Sequence, residues 1–544
     1  MKSFKNKYMI ALLLITIALS ACKKQWDERT EAVDQQLDKN VVQQIQENGN
    51  LSTFSGYLTK LGYDKLLAGS KTYTIWAPTN QALQGIDPAT VNDTAKLKKF
   101  VNNHIASQVY LTTAPKPTMR VRTLGGKNVT FTSTTVEDAQ ITTANQYVSN
   151  GVIHVIDKAI PPKMNISEYI RSLNGVADKH KAYILRNDTN YVDTSKATVQ
   201  SYDPKTGKPI LVPGTGLVSI NKYFNRVASL ANEDSTYTYF VLTDAAYDAE
   251  RNKVSKYFAT VTNSEDTTMN ILAGFNVLKD AAVRGMVPQT GLNNLVSVNN
   301  VPVPAAATAV VQSYSASNGM VYVVNSLPFD IKNKITEIVI QGEQPSFFAR
   351  TDARGSMFYR SRRDKNGLTL NDIMIGTTAT LPANFFAAYK LPNLYTCQYK
   401  IVVRAINDIS FTTPTDIVES FNFGQITAPT ISGGTIAPND VVKFPAQRMG
   451  PVSFNGVPLV NWDEVTLPTP ANKSATSLLT PPTNIAGGNP TTTATAANTI
   501  NLTNGNLTVL KRTSINMYVI GANATAANTN NITFDYVKLV PIIQ

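Results

Sequence analysis

Two short stretches decide the fold of the first part of this chain. They are TYTIWAPTNQAL, at Thr72–Leu83, and NGVIHVIDKAIPP, at Asn150–Pro162. The apolar runs Tyr73–Ala77 and Val152–Ile156 each predict a strand that is covered on both faces, because strands buried on both sides are apolar along nearly their whole length. Pro78 ends the first strand, since proline cannot donate a hydrogen bond to a sheet.

The sequence around these strands predicts helices and a hairpin. Four apolar residues recur at the i, i+3, i+4 and i+7 spacing of one helix face, and Gly62 follows them as a stop. Leu97–Ile105 predicts a second helix, and Gly125-Gly126 separates two β-rich runs as in a hairpin. The apolar residues of the first helix are Phe54, Tyr57, Leu58 and Leu61.

Taken together, these segments resemble fasciclin domains. Thr72–Leu83 resembles the first conserved box of that family and Asn150–Pro162 the second. Between them KFVNNHIASQVY (99–110) resembles its helix-and-histidine segment, and TLGGKNVTF (123–131) its hairpin, in the family's order. The resemblance implies a β-wedge with helices packed against it over residues 41–163. Trp76 stands where the family usually carries phenylalanine.

A second, more divergent copy is predicted over residues 164–334. NISEYIRSL (165–173) would be its opening helix, TYTYFVLTDAAYD (236–248) its first box and SNGMVYVVNSLP (317–328) its second, with Tyr322 where the first copy has His154. Residues 174–216 are rich in polar, turn-forming residues and are interpreted as an inserted surface loop. The alternative for this region is an unrelated α/β domain.

From residue 335 to residue 544 the pattern predicts an all-β sandwich. Helical periodicity nearly vanishes, and short β-rich runs alternate with Pro, Gly, Asn and Thr about every ten residues. YTCQYKIVVRA (395–405) and the closing runs NMYVIGAN (516–523) and ITFDYVKLVPI (532–542) resemble strands of jelly-roll, galactose-binding-like modules. Residues 468–503 are interpreted as a long loop.

The fold class expected is therefore multidomain, with two α+β fasciclin-like β-wedge domains followed by a jelly-roll-like sandwich.

The amino terminus predicts export. Lysines precede an apolar run of about a dozen residues, which is the pattern of a signal peptide over residues 1–21. Leu19-Ser20-Ala21-Cys22 resembles the lipobox of bacterial lipoproteins, which implies lipid on Cys22 and a polar tether over residues 22–40. Asp27-Glu28 resembles the acidic export signal of some Bacteroidetes lipoproteins. We therefore expect a lipid-anchored protein of the outer membrane that faces the cell exterior.

Composition narrows the range of partners. The 544 residues carry a formal net charge of +12, spread through Ser/Thr/Asn-rich sequence without a long basic run, so nucleic acid is not an expected partner of an exported chain. There are two cysteines; if Cys22 carries lipid, Cys397 has no partner within the chain and is expected to be a small buried residue. No cysteine or histidine spacing predicts a metal site or a cofactor.

No catalytic constellation can be assembled from the sequence, and we predict that the protein is not an enzyme. Of its three histidines, His104 and His154 fall at positions that the fasciclin pattern explains and are expected to be buried and hydrogen-bonded. His180 lies in a polar stretch and is expected to be exposed. The adjacent Asp463 and Glu464 would point to opposite faces of a strand, so they cannot serve as a glycosidase pair on one cleft wall.

The candidate binding residues lie in the third region. Guanidinium groups suit carboxylate, sulfate or phosphate, although a basic cluster can also be an ordinary solvated loop. An exposed tryptophan can stack on a sugar ring, although most aromatic residues of a sandwich belong to its core. The candidates are Arg350, Arg354, Arg360, Arg362, Arg363 and Trp462.

Three functional hypotheses follow. The resemblance to fasciclin domains implies adhesion or the recognition of an extracellular protein or glycan. The alternative is nutrient capture, as a glycan-binding accessory subunit of a starch-utilisation-type outer-membrane transporter complex, with glycan held by the terminal sandwich. A hydrolase on the sandwich is a third possibility, and it would need facing carboxylates across a cleft.

Overall fold

The centre of the first domain is a pair of parallel strands made by the two boxes. In a computed structural model, β1 (Tyr73–Pro78) pairs with β7 (Gly151–Ile156) from Tyr73 opposite Gly151 to Pro78 opposite Ile156, and every residue of β1 is buried. The predicted strands are confirmed.

The structure describes residues 38–69, 71–113, 118–260, 266–348, 357–364, 369–375, 386–405, 417–424, 441–444, 453–454, 457–460, 463–466, 500–503, 506–509, 511–520 and 532–543.

Gly151 is required where the two strands meet. A Cβ atom on Gly151 would lie 2.0 Å from the carbonyl oxygen of Tyr73, a distance that no side chain can adopt. The remaining strands extend the sheet in the order β2-β1-β7-β6-β5-β4-β3, and β3 and β4 form the hairpin predicted around Gly125-Gly126. Their bounds are β2 Ile105–Ala106, β3 Thr118–Arg122, β4 Asn128–Thr132, β5 Thr135–Val136 and β6 Ala139–Val148.

Short helices cover one face of this sheet. The predicted first helix is confirmed, with Phe54 and Leu58 buried against the strands. The second begins and ends three residues earlier than predicted, because Asn103 N–H bonds to the carbonyls of Lys99 and Phe100 and closes the last turn, and Ile105 then pairs with β1. The helices are α1 Val41–Glu47, α2 Ser52–Lys60, α3 Tyr63–Leu66, α4 Pro88–Asn92 and α5 Thr94–Asn102.

The second region repeats the parallel pair. Strand β12 (Tyr237–Leu242) pairs with β17 (Gly319–Val324) from Tyr237 opposite Gly319 to Leu242 opposite Val324. A Cβ atom on Gly319 would lie 1.8 Å from the carbonyl oxygen of Tyr237. The sheet has four strands, in the order β13-β12-β17-β16, where β13 is Ala282–Arg284 and β16 is Val310–Ala316. The register places Tyr322 at the position of His154, as predicted.

An asparagine before each second-box strand joins it to the opening helix. Asn150 Oδ1 accepts from Val41 N–H at 2.9 Å, and Asn318 Oδ1 accepts from Ile166 N–H at 2.9 Å. Both asparagines are nearly inaccessible to water. The two regions therefore share a buried polar link as well as a strand register. Each opening helix also begins with an asparagine capping box.

The segment predicted as an inserted loop is in fact ordered structure. It contains helix α7 (Asp178–Leu185) and then a long two-stranded arm, here called the hairpin arm (188–221), because β8 pairs with β11 and β9 with β10. Its polar composition reflects exposure of the arm to water. The other elements of the second region are α6 Ile166–Ser172, β8 Asp188–Val192, β9 Val199–Tyr202, β10 Pro209–Leu211, β11 Leu217–Asn221, α8 Lys222–Arg226, α9 Asp244–Ser255, a π-helix at Asp266–Ala273, α10 Gly274–Leu278, β13 Ala282–Arg284, β14 Leu295–Val296, β15 Pro302–Val303, β16 Val310–Ala316 and α11 Ile331–Lys334.

The carboxyl-terminal region is rich in β-strands. Its described strands form three sheets, in the orders β18-β33-β23-β30-β29 with β28 on β23, β19-β22-β31-β24-β25 and β26-β27-β20-β21-β32. The predicted loop at 468–503 lies largely outside the described residues, and its last four residues are strand β29. The strands are β18 Ile338–Gln341, β19 Phe347–Phe348, β20 Met357–Asp364, β21 Thr369–Ile375, β22 Phe386–Leu394, β23 Gln398–Ala405, β24 Ile417–Gly424, β25 Val441–Phe444, β26 Ser453–Phe454, β27 Val457–Val460, β28 Asp463–Thr466, β29 Ile500–Thr503, β30 Asn506–Val509, β31 Thr513–Ile520, β32 Ile532–Phe534 and β33 Tyr536–Ile542.

Polar contacts join the first two regions. Arg120 on the β3–β4 hairpin donates to Ser317 O at 2.7 Å and to Thr236 Oγ1. Lys127 lies 3.0 Å from the buried carboxylate of Glu233, which also accepts from Ser317 Oγ at 2.7 Å. Because Ser317 and Thr236 flank the second pair of boxes, the hairpin of one region is fixed to the strand ends of the next.

The third region packs on the second. Thr396 N–H donates to Tyr257 O at 2.8 Å, and the Phe258 and Tyr395 rings meet edge to face at 5.5 Å. Cys397 packs beside them, and burial raises the pKa of its thiol to about 11, so it stays protonated near neutral pH. Among the described residues, no helix combines the length and apolar character needed to cross a membrane.

Candidate functional site

The two histidines of the first domain are structural. His104 is fully buried; its Nδ1 lies 2.9 Å from Phe100 O, and its Nε2 accepts from Ile160 N–H at 3.0 Å. The His104 ring therefore needs one protonated and one unprotonated nitrogen, which only neutral imidazole provides. Burial lowers the pKa of His104 to about 4.

His154 has the same character. Its Nε2 donates to Tyr110 O at 2.9 Å, its Nδ1 accepts from Asn145 N–H at 3.3 Å, and burial lowers its pKa. The prediction that His104 and His154 are buried and bonded to backbone is confirmed.

The prediction that His180 is exposed is wrong. His180 has no exposed surface, because helix α7 turns it toward β12. Its Nδ1 accepts from Leu242 N–H at 3.1 Å and its Nε2 lies 2.9 Å from Tyr239 Oη, which in turn lies 2.9 Å from Tyr223 Oη. Tyr223 donates to Leu278 O, so a single chain of hydrogen bonds crosses the core. Burial lowers the pKa of His180 to about 3.

A buried lysine near the end of the second region is also structural. The three N–H groups of Lys334 have three acceptors, Asp280 Oδ2 at 2.6 Å, Asn276 O at 3.0 Å and Val277 O at 3.2 Å. Burial lowers the pKa of Lys334 to about 8. The ammonium group closes the carboxyl end of α10, where a cation is favoured by the helix dipole.

The residues predicted to bind a ligand are only partly described. Arg360 lies on β20, and its guanidinium pairs with Asp372 on β21 through Nε, at 3.0 Å from Oδ1, and through Nη2. Asp372 is fully buried, so this ion pair joins the two strands. Arg362 and Arg363 lie on the same strand. Arg350, Arg354, Trp462 and Cys22 lie outside the described residues.

The second region contains a cavity that the sequence reasoning missed. It has a volume of about 360 Å³ and opens between helices α7 and α9 and the π-helix. Its residues are spaced at i, i+3, i+4 and i+7 on α7, and at i and i+4 on α9, which is the one signal that could have located it. The lining residues are Lys179, Ala182, Tyr183, Arg186, Tyr247, Arg251 and Asn270.

The floor of the cavity is aromatic and its rim is cationic. Tyr183 and Tyr247 are almost fully buried, and Tyr183 donates to Ile271 O in the π-helix at 3.1 Å. Lys179 and Arg251 both pair with Asp248, and the Arg251 Nη2–Asp248 Oδ1 distance is 3.1 Å. The buried Nε of Arg251 has no hydrogen-bond partner among the described residues. No cluster of potential metal ligands occurs in the described part of the chain.

Comparison with known proteins supports the assignment of the first domain. The fasciclin domain family model matches residues 49–162. A porcine (Sus scrofa) protein, transforming growth factor-beta-induced protein ig-h3, is 26% identical over 165 residues, which are 27% of this chain and 24% of that protein. Protein sll1483 of Synechocystis sp. is 28% identical over 167 residues, which are 28% of this chain and 91% of that protein.

Among solved structures, the chain is similar to a FAS1 domain pair from the insect cell adhesion molecule Fasciclin I. The sequence identity is 16% and the TM-score 0.22, and the match covers 53% of this chain and all of that one. The segments that match the two sequence relatives span about a quarter of the porcine protein and most of the cyanobacterial one. With both boxes, the hairpin and the helix-and-histidine segment inside the matched range, residues 49–162 form a fasciclin domain.

Proposed function

We propose that this protein is a non-enzymatic recognition protein of the cell surface that acts in adhesion or ligand capture. The observation that carries the proposal is the fasciclin domain at residues 49–162, since that family is associated with adhesion and recognition. The histidines support it, because each of the three has both ring nitrogens bonded within the core, where none can exchange a proton with a substrate.

The second region is proposed to be a second fasciclin domain. Its parallel strand pair has the register of the first pair, and a glycine meets a tyrosine carbonyl at the same place in both. Asn150 and Asn318 make the same bond to the opening helix. A parallel pair can be formed in many registers, so agreement in register, glycine and asparagine supports a repeat over an unrelated α/β domain.

The protein is proposed to be lipid-anchored at Cys22 on the outer membrane, facing the cell exterior. The lipobox-like sequence supports this, and a lipidated cysteine with several acyl chains is enough for stable anchoring. Cys22→Ser is expected to move the protein from the membrane fraction to the soluble fraction. Cell fractionation followed by immunoblotting measures this, with Cys397→Ser as the matched control. Cys22→Ser protein that stays in the membrane fraction would contradict the anchor.

The recognition function is tested on cells. Deletion of the gene should lower attachment of the native cells to surfaces coated with extracellular protein or glycan, and the wild-type gene should restore it. The Cys22→Ser gene should not, because its product is released. Equal attachment of all strains on every surface would contradict the proposal.

A second candidate function is glycan capture for an outer-membrane transporter by the carboxyl-terminal region. The observation that favours it is an exposed aromatic residue on β20, since Tyr359 is 58% exposed. Aromatic faces in water suit sugar rings. Co-purification of the tagged protein with a transporter, and loss of that glycan's uptake in Tyr359→Ala, would favour this candidate over adhesion.

A further inference from the structure

We propose that the cavity between α7, α9 and the π-helix binds an acidic sugar unit, one that carries a carboxylate or a sulfate. The inference rests on the proposed recognition function and names a ligand class and a site for it. Three features of the cavity lead to it: its charge, its aromatic floor and its size.

The charge favours an anion. Lys179, Arg186 and Arg251 line the cavity, and none of the seven lining residues that the structure describes is acidic. Asp248 is shared between Lys179 and Arg251, so one carboxylate serves two cations. A guanidinium group can bind carboxylate or sulfate through two parallel N–H groups. Among the described residues nothing accepts from the buried Nε of Arg251, and a buried donor without an acceptor is costly.

The aromatic floor of the cavity favours a ligand that presents C–H groups to it. Tyr183 and Tyr247 both pack against Gly274. A Cβ atom on Gly274 would lie 2.4 Å from Tyr247 Oη and 2.9 Å from Tyr183 Cδ2. A ligand that enters between the cations therefore meets apolar ring surface, which suits the C–H face of a sugar.

The size favours a sugar over a single acidic side chain of a protein. About 360 Å³ falls within the range of roughly 300–1,000 Å³ that is usual for small-molecule sites. A lone carboxylate group would leave most of that space unfilled. The π-helix that supplies Asn270 is a second indication, because π-helical turns are rare and occur frequently at functional sites.

The test is a ligand-observed NMR titration of the full chain with Cys22→Ser. The probes are glucuronic acid and glucose 6-sulfate, with glucose and sodium sulfate as the uncharged and sugar-free controls. For ligands of this size we expect dissociation constants on the order of 1 mM. Glucose and sulfate should each bind at least about tenfold more weakly, and binding of the acids should weaken with added salt.

Two variants locate the site. Ala182→Trp fills the cavity without changing any charge, and it should abolish binding of both acids. Lys179→Gln combined with Arg186→Gln should weaken binding about tenfold or more. The matched control is Lys196→Gln with Lys208→Gln, which removes the same charge from the hairpin arm and should leave binding unchanged. Circular dichroism checks that each variant is folded.

Several results would overturn the inference. These are full binding by the Ala182→Trp variant, equal losses in the two double variants, binding of glucose or sulfate as tight as that of the acids, and no binding of either acid at 10 times the expected constant (about 10 mM). Tighter binding of an acidic peptide would assign the site to protein ligands instead. If Ala182→Trp cells still attach to surfaces while the variant binds no acid, only this inference fails and the adhesion proposal stands.

Discussion

The first and second regions share a centre and differ at the edges. Both place two parallel strands in one register, with a glycine against a tyrosine carbonyl and an asparagine bonded to the opening helix. In the described residues the central sheet has seven strands in the first region and four in the second, and the second region also contains the hairpin arm, the π-helix and the cavity. The comparison indicates that the paired strands fix the fold, while the elements around them are free to carry a binding site.

The largest expected effect comes from the two glycines. Gly151→Ala and Gly319→Ala should each cost more than about 3 kcal/mol, because the added Cβ meets a strand carbonyl that cannot move without breaking the sheet. The control is Gly56→Ala, on α2, where nothing lies within 4 Å; it should stabilise by about 0.5–1 kcal/mol. Chemical denaturation with hydrogen-exchange mass spectrometry resolves the effect in each region.

If the two regions are built on the same strand pair, each glycine variant should raise hydrogen exchange mainly in the strands of its own region. The losses of stability in the two variants should be similar. A Gly319→Ala variant as stable as the wild type would break the equivalence of the two regions.

The next effect is a difference in acid sensitivity. His104, His154 and His180 all have folded-state pKa values below their ordinary value, so the unfolded chain binds more protons below about pH 6.5. Stability is therefore complete above pH 6.5 and falls as the pH falls, by up to about 1.4 kcal/mol per pH unit for each histidine. The fall continues to about pH 4 for His104 and about pH 3 for His180.

The first region has two such histidines and the second has one, since Tyr322 replaces His154. Between pH 6.5 and 4.5, where most carboxylates remain ionised, the first region should lose stability more steeply. Denaturation with region-resolved hydrogen exchange at several pH values measures this, and His180→Gln should flatten the profile of the second region. A steeper loss of stability in the second region would contradict the conclusion that buried neutral histidines set the acid sensitivity of the two regions.

The smallest effect concerns the large residue of the first box. The indole Nε1 of Trp76 is fully buried and has no hydrogen-bond partner among the described residues, whereas the second region has Phe240 at the same register position. Trp76→Phe removes an unsatisfied donor, worth about 1–3 kcal/mol, and leaves a small cavity of similar cost. The net change should lie within about 1 kcal/mol by thermal denaturation.

Phe240→Trp is the reverse change, and it should destabilise by about 1–3 kcal/mol through overpacking. A loss above about 3 kcal/mol in Trp76→Phe would show that the indole ring has a role that phenylalanine cannot fill.

The sequence was sufficient to predict an element where its residue pattern is compatible with one structure only. The apolar runs Tyr73–Ala77 and Val152–Ile156 predicted the central strands of the first domain, because full burial requires apolar side chains on both faces. It failed for His180, since polar neighbours on an amphipathic helix do not reveal which residue faces inward. It failed also for the cavity, whose residues come from three separate helices and meet only through the tertiary fold.

The two regions share a strand register, and the cavity of the second region is proposed to bind an acidic sugar. Hydrogen exchange of the full chain with Cys22→Ser, with and without saturating glucuronic acid, tests it most directly. Bound acid should slow exchange in peptides that cover α7 and α9 and leave exchange in the first domain unchanged. Protection of the first domain to the same degree, or no protection at α7 and α9 when the acid is bound, would contradict it.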